Sequence, residues 1–172
     1  MKKILSLLGT ITLIGTSTTS LVACNKTQYS EDELKKLKEE NQINTKYQNI
    51  KYNLEWIAPQ EKPFNKVDNK YYYVVWRCDK NEEWRIVKFK NDKKVENFIK
   101  ITDKNNWNLF LNKENKTNEI ILNISEKEKQ TTAYVWKKEN SNYFKSVYRW
   151  NLDTAEPNLV IDTDGNIKVK GE

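Results

Sequence analysis

Few side chains in this sequence are of the types that do chemistry, and their scarcity restricts what the chain can do. There is no histidine, and the two cysteines are Cys24 and Cys78. Histidine is the side chain whose ordinary pKa lies near neutrality, so Ser-His triads and other imidazole-based acid–base machinery are excluded. Cys78 lacks an imidazole partner too, although Arg77 and Lys80 stand close enough in sequence to lower its pKa. Only Gly165 and Gly171 follow Cys24, too few for a phosphate-cradling loop. Carboxylates are plentiful. Glu82, Glu83 and Asp103 are candidates to pair across a cleft, but no spacing marks a glycosidase-like couple. Asp162, Asp164, Gly165 and Asn166 invite a calcium reading. An EF-hand loop, however, needs three oxygen-bearing positions before its glycine and a glutamate six after it, so a tight turn is expected instead. The residues therefore point to no catalytic group, no metal and no cofactor.

Aromatic residues are the other conspicuous type. All twenty Phe, Trp and Tyr lie after Cys24. Strand geometry would put Tyr71, Tyr73 and Val75 on one face of the run Tyr71 to Trp76, and Tyr72, Val74 and Trp76 on the other. Such a strand is either buried on both sides or displays an aromatic face. A displayed face of Tyr71, Tyr73, Trp76, Trp84 and Trp136 beside lysines would bind a glycan, a protein or single-stranded nucleic acid by stacking and charge. An aromatic core in a domain poor in Leu and Met is the plainer reading. Lysine and arginine outnumber acids by 30 to 24, but only Arg77, Arg85 and Arg149 are arginines and asparagine is abundant. That balance fits a solvated lysine surface better than a nucleic-acid site.

The amino-terminal segment has a different character. Lys2 and Lys3 are followed by an apolar run from Ile4 to Ile14 and a small, polar stretch from Thr16 to Ser20, the three-part layout of a secretory signal. It ends in Leu21, Val22, Ala23 and Cys24, which resembles the bacterial lipoprotein signal. The resemblance implies that Leu21, Val22 and Ala23 are read by a signal peptidase, that Cys24 receives a diacylglyceryl group, and that Cys24 becomes the first residue. Two or three acyl chains hold a protein stably on a membrane where one does not, since each buried methylene contributes about 0.8 kcal/mol. An uncleaved helix from Ile4 to Ala23 would just span a bilayer, but the hydroxyl run Thr16 to Ser20 makes it a poor span. With Cys24 claimed by lipid, Cys78 has no disulfide partner in the chain.

The elements that would carry these residues follow from pattern. Ser30 and Glu33 form a capping box ahead of a helix from Glu31 to about Glu40. Its apolar content is only Leu34 and Leu37, so it is expected to be a solvated spacer. Past Tyr47, short β-branched and aromatic runs predict antiparallel strands over 70–77, 84–90, 120–124, 131–137, 143–150, 159–161 and 167–169. Val75-Trp76-Arg77 and Trp84-Arg85 recur sixty residues later as Val135-Trp136-Lys137 and Phe144-Lys145, which suggests two copies of one hairpin. Asp92 is placed to cap a short helix through Val95, Phe98 and Ile99. Asp164-Gly165 predicts a hairpin turn. The expectation is an α+β, mainly β fold: an antiparallel sheet of aromatic-rich hairpins with one or two short helices. It comprises a signal peptide over 1–23, a lipid-anchored and partly helical spacer over 24–46, and a single domain over 47–172.

The lipobox, the Lys- and Asn-rich composition, the hairpin around Tyr72, Val75 and Trp76, and Val147-Tyr148-Arg149-Trp150 followed by Glu156-Pro157 resemble small lipoproteins of wall-less bacteria, particularly the spiroplasma type. The resemblance implies a location and not a reaction. The expectation is a lipid-anchored protein on the outer face of a bacterial membrane, acting as a binding module for a host or cell-surface protein or glycan. A small extracytoplasmic hydrolase and an accessory subunit of a transport or secretion complex are the alternatives.

Overall fold

The computed structural model describes residues 28–127, 133–138 and 142–172, so the expected signal segment, Cys24 included, lies outside the described residues. The body is mainly β, with ten strands in antiparallel sheets and two short helices among the described residues. In chain order these are α1 (Glu31–Glu40), α2 (Gln48–Asn53), β1 (Leu54–Trp56), β2 (Tyr71–Trp76), β3 (Arg85–Lys90), β4 (Phe98–Lys104) and β5 (Trp107–Lys113). There follow β6 (Ile120–Glu126), β7 (Ala133–Val135), β8 (Phe144–Trp150), β9 (Leu159–Ile161) and β10 (Ile167–Val169).

Three layers result. The central sheet has the order β1-β8-β2-β3, a second sheet has the order β4-β5-β6-β7, and β9 with β10 forms a separate hairpin. The middle strands of the central sheet, β2 and β8, are closed on both faces. Toward the second sheet they turn Tyr72, Val74, Trp76 and Val147, which meet Leu109, Leu111, Leu122 and Ile124, with Ile57 and Phe64 filling between. Toward the other side they turn Tyr73, Tyr148 and Trp150, under Ile43 and the hairpin residues Leu159, Ile167 and Val169. A strand with no solvent side must read as a continuous apolar run, and Tyr-Tyr-Tyr-Val-Val-Trp does. Three buried tyrosine tips also find partners. The hydroxyl of Tyr72 donates to Asp68 Oδ2 at 2.7 Å, that of Tyr73 to the Pro157 carbonyl at 2.7 Å and that of Tyr148 to the Asn41 carbonyl at 2.9 Å. Burial pushes all three phenols well above their usual pKa.

Several expectations are corrected. The helix through Asp92, Val95, Phe98 and Ile99 does not form; Phe98 opens β4 instead. Past Asp92 the pattern has period two. Ile99 and Ile101 pack on the core while Phe98 and Lys100 alternate outward, and Asn105, at φ 52°, closes a two-residue turn into β5. β1, β5 and α2 were likewise not expected. The second copy of the repeat is not a hairpin. β7 pairs with β6 in the second sheet, β8 pairs with β2 and β1 in the central one, and Trp136–Lys138 is a 3-10 turn. Thr131 and Glu139 lie outside the described residues. The helix α1 does form over the expected residues, with both halves of the Ser30–Glu33 capping box present. It is docked on one face and solvated on the other, since Leu37 is buried, Tyr29, just ahead of the cap, is bonded to Gln60, and Glu31, Asp32, Lys35 and Lys36 are exposed.

Truncating Trp76 should therefore empty a closed core, while truncating Phe98, which is 53% exposed, should not. Trp76→Ala is expected to cost about 3–5 kcal/mol in urea unfolding and Phe98→Ala under about 1 kcal/mol; equal losses would contradict this placement.

Candidate functional site

The aromatic residues offered as one face are separated by the fold. Tyr73 and Trp76 are buried on opposite faces of β2. Tyr71 is half-buried at the end of that strand, with Lys88 and Lys90 ammonium groups 5.2 and 5.5 Å from its ring. Trp84 lies under the Arg77 guanidinium at 4.3 Å and against Gly165, where a Cβ would come within 2.7 Å of the indole. Trp136 packs on Phe64 with ring centroids 6.1 Å apart. These five do not form a displayed platform. Cys78 is buried, and burial, with Glu82 next in weight, raises its pKa; the expected acidifying neighbour Arg77 is engaged with Trp84. In the β9–β10 turn, Asp162 accepts from the Asp164 and Asn166 amides at 3.1 and 2.8 Å and pairs with Lys168 at 3.3 Å. That carboxylate organises the turn.

The aromatic face that is displayed belongs to the second sheet. The strand register places Phe98 and Lys100 of β4, Asn108, Phe110 and Asn112 of β5, and Ile121, Asn123 and Ser125 of β6 on the side away from the core, where Phe98 is exposed, Phe110 half-buried, and Asn123 and Ser125 buried. Val135 of β7 completes the row. Phe98 and Phe110 pack ring to ring at 5.0 Å and 42°. Neither apolar core includes them. The Asn123 amide donates to Asn112 Oδ1 and, at 3.0 Å, to the Ile121 carbonyl, so the amides beside the rings are held in place. Lys127 and Lys100 share the one carboxylate of Asp103 at 3.0 and 3.5 Å, which leaves this rim with a net positive charge. Sequence reasoning missed this face because Phe98 was assigned to a helix and β5 was not recognised. The alternation Trp107, Leu109, Leu111 against Asn108, Phe110, Asn112 was the available signal.

A second constellation ties α1 to the edge of the central sheet. Lys38 of α1 donates to Glu55 of β1 and, at 2.6 Å, to Glu61 of the 3-10 turn Pro59–Glu61. Register sets Glu55 opposite Arg149 of β8, whose Nη2 meets the other Glu55 oxygen at 2.8 Å. Asn151 Nδ2 donates to that same oxygen at 3.0 Å. Burial works to raise the Glu55 carboxyl, but Lys38, Asn151 and Arg149 outweigh it and hold its pKa below the usual carboxylate range. Burial likewise works against charged Lys38, and its two glutamates outweigh it and raise its pKa. A carboxyl held ionised cannot donate a proton near neutral pH, so Glu55 suits a structural clamp and not a general acid. Beside the clamp runs an open groove of about 560 Å³, lined on one side by Glu31, Leu34 and Lys35 of α1 and on the other by Tyr52 and Trp56.

Over 37 residues the chain is 49% identical to "Uncharacterized protein ORF1" of Spiroplasma virus SpV1-R8A2 B, a match covering 19% of this chain. The chain spans only 5% of the length of that relative. The likeness gives a spiroplasma connection. No protein-family model matches the chain, and no solved structure does.

Because the Glu55 pKa is depressed on folding, the stability it contributes is present above the unfolded carboxyl pKa, about 4.3, and is lost as pH falls through the folded value. Urea unfolding of Glu55→Gln should show a loss of about 1–3 kcal/mol at pH 7 that shrinks at pH 3. A gap independent of pH would show that the carboxylate charge is not what holds α1.

Proposed function

We propose that this chain is a lipid-anchored surface protein, attached to the outer face of a bacterial membrane through Cys24, whose β body binds and does not catalyse. The observation that carries the reading is a juxtaposition along the chain. Lys2-Lys3, the apolar run and Leu21-Val22-Ala23-Cys24 stand immediately ahead of a body whose first tertiary hydrogen bonds are made by Tyr29. Among the described residues no helix is long and apolar enough to cross a bilayer, so attachment in this reading rests on the segment before Tyr29. In cells fed a labelled fatty acid, label is expected on the protein and its loss in Cys24→Ala. Unlabelled protein, or label surviving that substitution, would sink the anchoring.

The binding surface in this reading is the outer face of the second sheet. The Phe98–Phe110 pair offers π faces, and Asn108 and Asn112 set amide groups beside them. That combination suits a glycan, whose C–H faces stack on aromatic rings and whose hydroxyls bond to amides. Truncating a central interface aromatic commonly costs 2 kcal/mol or more. On an array of immobilised glycans, Phe98→Ala with Phe110→Ala should reduce binding by about thirtyfold or more. Undiminished binding would move the site elsewhere, and silence of the native protein on the array would remove the glycan assignment.

A further inference from the structure

We infer that the edge of the body formed by α1, Tyr52 and the groove between them faces the bilayer, with the membrane surface as its occupant. The inference rests on the lipid-anchor reading of Cys24 and adds an orientation to it.

The argument is one of reach. Four residues stand between Cys24 and Tyr29, five Cα steps along the chain. At full extension they cover at most about 18 Å. Tyr29 is not a loose end, since its amide donates to Gln60 Oε1 at 2.6 Å and its carbonyl accepts from Gln60 Nε2 at 3.0 Å. From there the chain enters α1 through the capped Ser30, and α1 is clamped by Lys38 to Glu55 and Glu61. The point of attachment is thus fixed on the body. A globular body of this size has a radius of gyration of about 15 Å and hence a diameter of roughly 35–40 Å. A tether of only about half that diameter restricts how far the body can turn over.

The strand register says which side is turned down. Across the central sheet Leu54, Trp150, Tyr71 and Lys90 lie in one row from β1 to β3. Three strand spacings put Lys90 about 14 Å from β1, on the side away from α1. The β1 side carries, beside the carboxylates of Glu31 and Glu39, side chains of the kind that settle at a membrane interface. Tyr52 is 69% exposed, Trp56 and Leu34 line the same groove, and Lys35 and Lys51 stand beside them. Aromatic rings with a polar tip and lysines with long apolar stems both settle at the level of lipid headgroups.

The test uses the full-length lipidated protein in phosphatidylcholine vesicles that contain doxyl-labelled lipid. A fluorophore is attached through maleimide at Tyr52→Cys or at Lys90→Cys; buried Cys78 is shielded and lipidated Cys24 is blocked. Quenching at position 52 is expected to exceed that at position 90 by at least about threefold. Inserting about twenty Gly and Ser residues between Cys24 and Tyr29 should bring the ratio close to one. Equal quenching at native tether length, with lipid on Cys24 verified by mass, overturns the orientation alone, and a ratio that survives the insertion overturns the tether as its cause. Absence of lipid on Cys24 overturns the orientation together with the anchoring it rests on.

Discussion

The rest of the body depends on the middle strand of the central sheet, β2, having no solvent side. In β2 the aromatic and β-branched residues leave in both directions, Tyr72, Val74 and Trp76 into one core and Tyr73 into the other. In a half-exposed strand a slip of one residue is punished by turning apolar side chains to water. Here both faces are apolar, so that penalty is weak and register needs another source. The polar tips of the aromatics supply it. Tyr72 reaches Asp68, Tyr73 the Pro157 carbonyl and Trp150 the Thr154 carbonyl, and a shifted strand would leave those buried groups unpaired. The partners sit in loops, so the aromatic core also dictates where the connecting chain must run.

Closing both faces leaves the edges to be managed, and each is handled by a different device. On β1 the edge is shielded by α1 through Lys38 and Glu55. On β3 lysines 88 and 90 project beside Tyr71, and β7 is only three residues long. On β4 the pairing with β5 is broken by an irregularity between Lys100 and Thr102, which spoils the row of free amides. After these measures the β4–β5 side of the second sheet's outer face, around exposed Phe98, remains as surface that neither core uses. Its rings and amides are ordered by contacts among themselves, so the surface is preformed, and a preformed surface loses less side-chain freedom on binding.

Much of the strand content was legible because Tyr, Val and Trp runs bounded by Asn, Asp and Lys carry a local signal. The runs at β2, β3, β6, β8, β9 and β10 were each anticipated to within a residue or two. What was not legible is decided by partners distant in sequence. Val135 and Phe144 look like two strands of one hairpin, yet nothing local says that β7 pairs with β6 and β8 with β2. Phe98 fits a helical face with Val95 and Ile99 as well as it fits a strand, and the decision comes from Ile101 and from an Asn105 able to adopt positive φ. For the same reason the candidate binding face escaped detection. The residues singled out for display, Tyr73 and Trp76, were the ones whose size made them most valuable to bury.

α1 is the reverse case, an element that reads as a free spacer and is docked along one face. Leu34 and Leu37 are too narrow a stripe to hold a helix by apolar contact alone. An apolar stripe would also be indifferent to small rotations, whereas two carboxylates on separate elements converging on one ammonium admit few placements. Glu55 is held from the sheet side by Arg149, and Glu61 is held by accepting the Ala58 amide at 2.7 Å. Lys38 therefore meets two acceptors that are themselves fixed, which is what lets a short polar helix dock with a defined direction. In a chain anchored through Cys24, any pull from the membrane enters at Tyr29 and passes along α1. The clamp then delivers it to β1 and to the Pro59–Glu61 turn together, and β1 passes it through its full register with β8 to the one sheet that both cores hold in place.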